Sequence, residues 1–513
     1  MGAIVPDRAG AVSVEPVTGS GGSVDAVVVG SGPNGLAAAV VLAAAGLEVE
    51  VHEAEDAVGG GARTAELTLP GFAHDVCSSV HPLAVASPFF RAFDLPARGV
   101  ELLQPEVPYA QPLDGGRAGL AYRDLQRTAE GLGPDGPAWR ALLGPLVDDW
   151  PALIDLMMSD YRTLPRDPLL AARFGLRVLE QGSYAWNVRF ADDVAPAMLT
   201  GVSTHAIAPS RSLGPAAAGL LLATMAHGVG WPLVRGGSQR LVDAMVDVVR
   251  SRGGRVVTGH RVRSLEELPR ARAVLLNLGP AGLLQVAGDR LPTAYRRWLK
   301  AYRYGNAACK LDFALSGPVP WQAPGLDAVG TLHLGGTRAE MLATERDVAR
   351  GRHPERPYVI AVQADVVDPD RSPAGHRQLW AYAHVPAGST VDMGDAVQAQ
   401  VERFAPGFGD LVLHRAVTTA ADEERRNANF VGGDIATGAT TPWQMLARPV
   451  PRWDPFSTPL DGVYLCSAAT PPGPAVHGMA GVHAARRALR QRFGIRTDPL
   501  ELVRSTRPAA RGR

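Results

Sequence analysis

Apolar and polar residues follow two different periods in the N-terminal part of the chain. Val24–Val29 is a mainly apolar, β-branched run, which is typical of a buried strand. An alanine-rich stretch reaches about Ala45 and predicts a helix, which Gly46 can end. The next segment, "EVEVHEA", alternates polar and apolar residues, as a second strand does. The pattern therefore predicts a strand, a glycine turn, a helix and a strand, in that order.

The turn between this strand and the helix has the glycine spacing GxGxxG. Gly30 permits a tight turn, Gly32 lets the backbone approach a pyrophosphate, and Gly35 lets the helix and the strand pack closely. The helix N-terminus, where Pro33 and Asn34 lie, offers free N–H groups and the positive end of the helix dipole to phosphates. The sequence therefore predicts a dinucleotide site at this turn.

An acid and a second glycine cluster distinguish FAD from NAD. Glu53 ends the second strand, where its carboxylate can accept hydrogen bonds from both ribose hydroxyls. The segment "VGGGART" follows closely, and an NAD domain has no need of it. This loop can contact the pyrophosphate and the ribityl chain, and its residues are Gly59, Gly60, Gly61, Ala62, Arg63 and Thr64. No second strand–GxGxxG–helix unit occurs, so we predict FAD and no nicotinamide domain.

Two later segments are predicted to complete the adenine side of the FAD site. "GGRVVTGHRVRSL" is interpreted as a pair of strands, and Val262 ends the part that can present backbone groups to adenine. "RAVLLNLGP" is interpreted as another core strand, which ends at Asn277. We expect both segments near the first strand, because FAD folds of this kind return to the cofactor late in the chain.

The C-terminal segment is predicted to hold the flavin end of the cofactor. A strand over Val463–Cys466 precedes a Pro/Gly loop, and a helix begins near His477 and runs past Arg487. The N-terminus of that helix can stabilise the negative charge of a reduced flavin by about 0.3–2 kcal/mol. The residues placed at the flavin on this basis are His477, Gly478 and Met479.

Charge and cysteine content narrow the class of protein. Lysine plus arginine and aspartate plus glutamate both number 51, so no overall basic field is available to bind nucleic acid. The cysteines Cys77, Cys309 and Cys466 lie far apart without a C-x-x-C pair. That spacing predicts reduced thiols in a cytoplasmic protein, and neither a dithiol redox centre nor a metal site.

Two regions bear on membrane contact. Residues 1–23 have no signal-peptide pattern and are predicted to form a disordered leader. Gly214–Val234 is a longer apolar stretch, but a histidine, glycines and a proline interrupt it. A core or pocket-lining helix is the favoured interpretation of that stretch, and peripheral membrane contact stays open.

Several motifs together resemble the phytoene-desaturase-related FAD oxidoreductases. They are the turn Gly30–Gly35, Glu53, "VGGGART", "PGFAHDVCSSVHP", "RRNANFVGGDIATGATTPWQMLARP" and "GVYLCSAATPPGPAVHGMAG". The chain most resembles the branch called pyridine nucleotide-disulfide oxidoreductase domain-containing protein 2-like, although it lacks a cysteine pair for disulfide chemistry. The resemblance covers about residues 24–490. It departs at Gly61, where arginine is common, and at Ser467, where glycine is frequent, but the resemblance still implies that Ser467 contacts the flavin.

The resemblance implies an α/β fold, in which an FAD-binding Rossmann-type domain of the amine-oxidase/phytoene-desaturase kind carries an inserted α+β substrate domain. The expected boundaries are 24–77, 235–298 and 430–493 for the FAD-binding domain, 78–234 and 299–429 for the substrate domain, and 494–513 for a tail. "AACKLDFAL", "PYVIAVQADVV" and "HRQLWAYAHVP" are expected to be strands of a mixed sheet in the substrate domain.

The resemblance also implies the chemistry of an FAD-dependent oxidoreductase of the dehydrogenase, desaturase or oxidase type. Such an enzyme transfers a hydride from a largely apolar small molecule to flavin N5. Lys310 is a candidate catalytic residue, because its strand resembles the strand of flavin amine oxidases whose lysine holds a water at N5. The alternative is a lysine that reaches solvent. His477 is a second candidate, which either contacts the substrate or the flavin, or caps the helix.

The roles of several other side chains stay open between pocket lining and packing: His81, His205, His227, Trp231, Trp443 and Met445. Structural hydrogen bonds are expected for His74 and Asp75. Two other functions are weighed: a carotenoid-type desaturase at a membrane surface, and a non-catalytic binding protein on the same scaffold, as in the GDP-dissociation inhibitors. The substrate, the electron acceptor and the oligomeric state stay open.

Overall fold

The structure is a computed structural model that describes residues 23–160, 164–209 and 212–508. The predicted leader, residues 1–23, lies outside these ranges except for Ser23, which begins the first strand. Residues 509–513 of the predicted tail also lie outside the described residues.

Strands and helices are interspersed along the described residues. The strands are β1 Ser23–Val29, β2 Val49–His52, β3 Thr64–Glu66, β4 Ala73–Asp75, β5 Leu102–Leu103, β6 Val107–Leu113, β7 Arg117–Ala121, β8 Leu233–Val234, β9 Arg255–Val257, β10 Arg270–Leu276, β11 Ala307–Leu315, β12 Val329–Leu334, β13 Val359–Val362, β14 Arg377–Val385, β15 Val412–Thr418 and β16 Val463–Leu465. The α-helices are α1 Pro33–Ala44, α2 Pro82–Ala86, α3 Pro88–Phe93, α4 Leu125–Gly131, α5 Gly136–Asp148, α6 Trp150–Met157, α7 Pro168–Gln181, α8 Val194–Thr204, α9 Leu213–Gly228, α10 Gln239–Ser251, α11 Pro280–Ala287, α12 Thr293–Ala301, α13 Arg338–Ala349, α14 Gly394–Glu402, α15 Ala420–Arg426, α16 Pro442–Ala447, α17 Met479–Arg492 and α18 Pro499–Arg504.

A parallel sheet carries the N-terminal glycine turn. Its strand order is β16-β10-β1-β2-β9, with every neighbouring pair parallel. The β-branched residues of the central strand β1 are almost all buried, as expected for a parallel sheet that helices cover on both faces. The alanine-rich α1 packs between this sheet and the helices α10 and α17. The carboxyl ends of β1, β2 and β10 meet at one edge, where open α/β sheets bind ligands.

A mixed sheet forms the second layer of structure, in the order β15-β11-β14-β13-β12-β6-β7. Only β12 and β6 pair in parallel. Alternate residues of β11, such as Leu311 and Phe313, belong to an apolar core on one face of this sheet. The intervening residues of the same strands point to the other face, which is turned toward the parallel sheet. This second face supplies one wall of the cavity described below.

The predicted fold class is confirmed: the structure is α/β, with a Rossmann-type parallel sheet and a separate mixed sheet. The strand, helix and strand predicted around the first glycine turn are β1, α1 and β2. The three strands predicted for the mixed sheet contain β11, β13 and β14. The division into two domains at the stated boundaries stays a prediction.

The strand pair predicted around Val257–Val262 is only half present. β9 pairs with β2, but residues 258–263 form no strand. The reason is that Gly259, at φ +67°, turns the chain, and the N–H of His260 then donates to the carbonyl oxygen of Glu53 at 2.8 Å. Residues 258–263 therefore pass over the end of β2 as a loop.

The apolar stretch Gly214–Val234 and the C-terminal segment both pack against the rest of the protein. Within Gly214–Val234, helix α9 is largely buried and lines the cavity. No helix in the described part of the chain is long and apolar enough to span a bilayer. The predicted tail contains α18, which Asp498 caps and whose Val503 is fully buried. Helix α18 is therefore packed against the protein through Pro499 and Val503.

Candidate active site

A cavity of about 1080 Å³ lies between the carboxyl edge of the parallel sheet and the mixed sheet. This volume is just above the range of about 300–1,000 Å³ that is usual for small-molecule sites. One half is lined by the two glycine loops, the end of β2, residues 260–262 and residues 277–282. The other half is lined by α7, α9 and the strands β12, β13 and β14. The cavity thus joins a glycine-rich, polar half to an apolar half.

The first glycine turn is too tightly packed for side chains. A Cβ atom on Gly35 would overlap the carbonyl oxygen of Gly30 and would lie 3.0 Å from Cβ of Asn277. A Cβ atom on Gly32 would lie 2.9 Å from Nδ2 of Asn277. Gly32, Pro33 and Asn34 line the cavity, so the first turn of α1 begins at the cavity. The N–H of Asn34 has no acceptor within the helix and is free to bind a phosphate.

Glu53 is held in a fixed position at the cavity. Its Oε2 accepts hydrogen bonds from the backbone N–H of Ser31 at 2.9 Å and from the Ser31 hydroxyl. Its Oε1 accepts from the N–H of Glu55 at 3.1 Å. Three of the four lone-pair sites of the carboxylate are then in use, and the remaining site on Oε1 can accept a hydrogen bond from a ribose hydroxyl. A phosphate at the same place would be repelled.

The second glycine loop folds back onto the first turn. The N–H of Gly59 donates to the Ser31 hydroxyl at 3.0 Å. A Cβ atom on Gly60 would lie 3.2 Å from Cα of Gly32, and Gly60 also has φ +56°. Nε of Arg63 donates to the Gly60 carbonyl oxygen at 3.0 Å, and Arg63 lines the cavity. The loop therefore places backbone amides and one cation where a pyrophosphate can bind.

Residues 424–431 form a cavity wall that the sequence reasoning missed. Nδ2 of Asn429 donates to the Asn277 carbonyl oxygen at 3.0 Å, and its Oδ1 accepts from the N–H of Gly279 at 2.8 Å. A Cβ atom on Gly61 would lie 3.2 Å from the Phe430 ring, so a larger residue at position 61 would require Phe430 to shift. The available signal was "RRNANF", which opens one of the motifs that carry the family resemblance.

The structure brings most of the predicted site residues together. Those that line the cavity are Gly30, Gly32, Pro33, Asn34, Glu53, Gly60, Gly61, Ala62, Arg63, Val262, Asn277, Ser467 and His477. Those outside the lining are Gly35, Gly59, Thr64, Lys310, Gly478 and Met479. The N-terminus of α17 is covered rather than open, because a Cβ atom on Gly478 would meet the Phe89 ring and Ala37.

Lys310 is buried one layer behind the cavity wall. It is 2% exposed, so the alternative of a lysine that reaches solvent is wrong. Its Nζ contacts the carboxylate of Asp312, whose other oxygen lies 3.3 Å from Nδ1 of His74. Nζ also lies 5.7 Å from the centre of the Trp380 ring, and Trp380 lines the cavity. Any influence of Lys310 on the cavity therefore acts through its charge and its neighbours.

Both ring nitrogens of His477 are engaged in hydrogen bonds. Nδ1 accepts from the N–H of Met479 at 3.0 Å, so Nε2 carries the proton that it donates to the Gly473 carbonyl oxygen at 3.0 Å. Burial lowers the pKa of His477 to about 4, although the bond to Gly473 opposes this shift. The geometry therefore supports the capping alternative for a neutral His477 that also lines the cavity.

Asp75 and Arg371 form a buried ion pair at the junction of the two sheets. Both Nη atoms of Arg371 contact Oδ2 of Asp75, at 2.8 and 2.9 Å. Asp75 also accepts hydrogen bonds from the N–H of Ser238 and from the hydroxyls of Thr64 and Ser79. The structural hydrogen bonds predicted for Asp75 are therefore present. They tie the second glycine loop, through Thr64, to the start of α10.

The cavity lining decides between pocket lining and packing for the remaining candidate side chains. His81, His205, Trp231 and Met445 line the cavity, whereas His227 and Trp443 do not. His227 is bonded to Trp139 and to the Tyr122 carbonyl oxygen, and Trp443 is exposed. The Asp, Glu, Lys and Arg residues among the cavity-lining residues are Glu53, Glu55, Arg63, Arg261, Glu424 and Arg426, and none of them lies on α7, α9 or β12–β14.

These residues fit FAD. A glycine cradle, a helix N-terminus and Arg63 suit a pyrophosphate, and the Glu53 carboxylate suits a ribose. In the described residues, no group of three His, Cys, Asp or Glu side chains is arranged to hold a metal ion, and the three cysteines are free thiols. The fold and the site thus define an FAD-binding oxidoreductase of the Rossmann type.

The comparisons with known proteins assign the family. The model of the flavin-containing amine oxidoreductases matches residues 35–489, so the chain belongs to this family and is an FAD-dependent oxidoreductase, as predicted. It is 25% identical to rat pyridine nucleotide-disulfide oxidoreductase domain-containing protein 2, over 90% of this chain and 92% of that protein. It is 22% identical to a limonene dehydrogenase subunit of Castellaniella defragrans, over 93% and 97%. A putrescine oxidase triple mutant shares the fold, with a TM-score of 0.58, 16% identity and coverage of 92% and 99%.

Replacing Glu53 tests the ribose contact. We expect Glu53→Gln to raise the Kd for FAD about 10- to 100-fold, because a hydrogen bond to a charged group is worth roughly 1.5–3 kcal/mol. The measurement is titration of the apoprotein with FAD. Glu55→Gln is the matched control, since Glu55 also lines the cavity but is paired with Arg261. Equal affinities in the two variants would contradict the assignment of Glu53.

Proposed function

We propose that this FAD-dependent oxidoreductase oxidises a largely apolar, uncharged small molecule, for which bound FAD would supply the hydride acceptor at N5. The observation that carries the proposal is the lining of the apolar half of the cavity. Side chains such as Phe174, Val178, Leu221 and Ile360 surround it, and no carboxylate among the described lining residues is there to pair with an ammonium group. The name of the limonene dehydrogenase relative supports an apolar substrate.

The residues of the chain would divide the work of binding and orientation. The proposed FAD ligands at Gly32, Glu53, Gly60, Arg63 and Asn277 fix the cofactor in the polar half. The apolar side chains of α7, α9 and the mixed sheet exclude water and hold the substrate against it. Ser467 and His477 line the cavity from the C-terminal segment, and we propose that they contact the flavin end of the cofactor.

Anaerobic flavin reduction tests the substrate class. The FAD-loaded protein is mixed with apolar alkenes and alcohols, including limonene and a polyene, and with putrescine as a charged comparison. We expect bleaching of the flavin absorbance by at least one apolar compound and none by putrescine. Bleaching by putrescine alone would contradict the proposal. Reoxidation of the bleached protein by air, by a quinone or by a partner protein would then identify the electron acceptor, which the proposal leaves open.

We propose Lys310 as a positioning residue that acts through the Lys310–Asp312 pair. Removing the cation in Lys310→Met leaves a net negative charge behind the cavity wall, whereas Asp312→Asn leaves a net positive charge. We therefore expect a lower flavin reduction potential and slower reoxidation in air in the first variant, and opposite changes in the second. Identical potentials and rates in both variants and the unchanged protein would remove Lys310 from the mechanism.

A carotenoid-type desaturase at a membrane surface is the second candidate function, and one observation favours it. Apolar residues are exposed on α7, at Leu169, Leu176 and Leu179, and on α16, at Trp443 and Leu446. Other residues of the same two helices, such as Phe174 and Met445, line the cavity. An apolar substrate could therefore pass from a lipid surface into the cavity. The buried stretch Gly214–Val234 no longer supports this function.

Vesicle binding tests the membrane candidate. We expect the protein to sediment with vesicles of phosphatidylcholine and phosphatidylserine, and Leu176→Glu to weaken this binding about tenfold or more, because burying a leucine is worth roughly 1.5–3 kcal/mol. Leu413→Glu is the control, since Leu413 is exposed on β15, away from these helices. Equal sedimentation of both variants, or none by the unchanged protein, would remove the candidate.

A further inference from the structure

The wall of the apolar half contains a hydrogen-bonded pair of histidines. Nε2 of His205 lies 2.8 Å from Nε2 of His333 on β12. His205 lines the cavity, whereas His333 is completely buried behind it. The rings of Tyr109, Trp231 and Tyr358 pack around His333, and Trp231 also packs against His205. The orientation of both imidazoles is therefore fixed.

Both histidines are neutral. Burial lowers the pKa of His205 to about 3, and it lowers the pKa of His333 well below its ordinary value. Each imidazole therefore has one N–H donor and one lone-pair nitrogen. In the hydrogen bond between them, one Nε2 must donate and the other must accept.

The surroundings of His333 decide which nitrogen carries each proton. Nδ1 of His333 is buried and makes no hydrogen bond to any described residue. A buried N–H without an acceptor is rarer in proteins than a buried acceptor without a donor. Nδ1 of His333 is therefore the lone-pair nitrogen, and its Nε2–H donates to Nε2 of His205. His205 then carries its own proton on Nδ1, where no described residue accepts it.

Thr331 adds a second polar group to the same wall. It lies two residues before His333 on β12, so the two side chains share one face of the sheet. The Thr331 hydroxyl is buried, lines the cavity and has no hydrogen-bond partner among the described residues. A buried polar group in that state usually has a ligand or a water as its partner.

We propose that His205 and Thr331 bind a neutral oxygen, a carbonyl or a hydroxyl, at one end of an otherwise apolar substrate. This proposal deepens the proposed function and rests on it. A neutral imidazole donor suits an uncharged acceptor, and the absence of Arg and Lys from α7, α9 and β12–β14 in the described lining disfavours a carboxylate. The substrate class is then an apolar alcohol, aldehyde or ketone.

The test compares two ligands with one carbon skeleton, limonene and carvone, which differ by a ketone oxygen. Both are titrated into the oxidised, FAD-loaded protein, and their Kd values are measured by the flavin difference spectrum and by calorimetry. We expect carvone to bind about tenfold or more tightly, because each hydrogen bond contributes roughly 0.5–1.5 kcal/mol. If the cavity wall offered no donors, limonene would bind more tightly than carvone, because the ketone oxygen would lose its hydrogen bonds to water and gain none from the protein.

Variants assign the preference to the two residues. His205→Phe and Thr331→Val should each lower the affinity ratio several-fold, while Thr331→Ser, which keeps the hydroxyl, should preserve it. Bound flavin in each variant confirms that it is folded. Equal affinities for the two ligands, no binding of either, or a ratio unchanged in His205→Phe and Thr331→Val would overturn the proposal. These titrations need no turnover, so they can fail while flavin bleaching succeeds, or succeed while bleaching fails.

Discussion

A Gly35→Ala protein is expected to lose its FAD. The added Cβ would overlap the carbonyl oxygen of Gly30, which is backbone and cannot rotate away, and would lie 3.0 Å from Cβ and Nδ2 of Asn277. Helix α1 must then move away from β1, which displaces the N–H groups that we assign to the pyrophosphate. We expect the flavin content of the purified protein to fall to about a tenth or less, which corresponds to a loss of roughly 1.4 kcal/mol or more.

A second glycine-to-alanine change serves as the matched control. Gly144 lies inside helix α5, and a Cβ there would meet only Leu125, at the ordinary contact distance of 3.8 Å. Gly144→Ala should keep its flavin and change the stability little, because the helix preference of alanine over glycine is offset by Pro145, which disfavours the helical conformation of the residue before it. Full flavin content in Gly35→Ala would contradict the role of the turn as a phosphate cradle.

Breaking the Asp75–Arg371 pair is expected to have the largest effect on the free energy of unfolding. Arg371→Met leaves the Asp75 carboxylate buried with only neutral donors from Thr64, Ser79 and Ser238. We expect a loss of about 3–5 kcal/mol, as is typical when one partner of a buried pair is removed. Asp75→Asn should cost less, because Arg371 still lies 3.5 Å from Asp368. Denaturant unfolding measures both.

The same pair predicts a pH dependence of stability. Burial would raise the pKa of Asp75, but Arg371 and the hydrogen bonds from Ser238 and Ser79 outweigh it and lower the pKa from 3.8 to about 2. A carboxyl group whose pKa is lowered on folding stabilises the protein above its unfolded pKa, and this contribution is lost as the pH falls from about 4 to about 2. The expected contribution is about 2 kcal/mol, and Asp75→Asn should remove it. If the free energy of unfolding of Asp75→Asn fell between about pH 4 and pH 2 as steeply as that of the unchanged protein, this assignment would be contradicted.

The β1–α1–β2 unit could be predicted from the sequence, because the interactions that form it join residues close together in the chain. The β1–α1–β2 unit needs a buried strand, glycines where a side chain cannot fit and an acid at the next strand end, and all of these are neighbours in the chain. The start of α17 at Met479 could be placed for the same reason. The covering of the N-terminus of α17 by Phe89 could not be predicted, because Phe89 is distant from α17 in the chain.

The rest of the site depends on contacts between distant segments. Lys310 has the sequence pattern of an ordinary strand residue, and only the tertiary fold shows that Asp312 and His74 surround it. Asn429 hydrogen-bonds Asn277 and Gly279, which are distant from it in the sequence. The pattern of apolar and polar residues along the chain does not reveal such contacts. The strand expected after β9 failed because the chain turns at Gly259 to hydrogen-bond Glu53.

We propose that the glycine-rich half of the cavity binds FAD through the first turn, the second loop and Glu53. The most direct measurement is the amount and identity of flavin released from the purified, denatured protein, together with reconstitution of the stripped protein. We predict about one FAD per chain, and full recovery of the yellow colour on adding FAD but not FMN, because the ribose and pyrophosphate contacts need the dinucleotide. A colourless protein that does not take up FAD, or one that prefers FMN, would contradict the account.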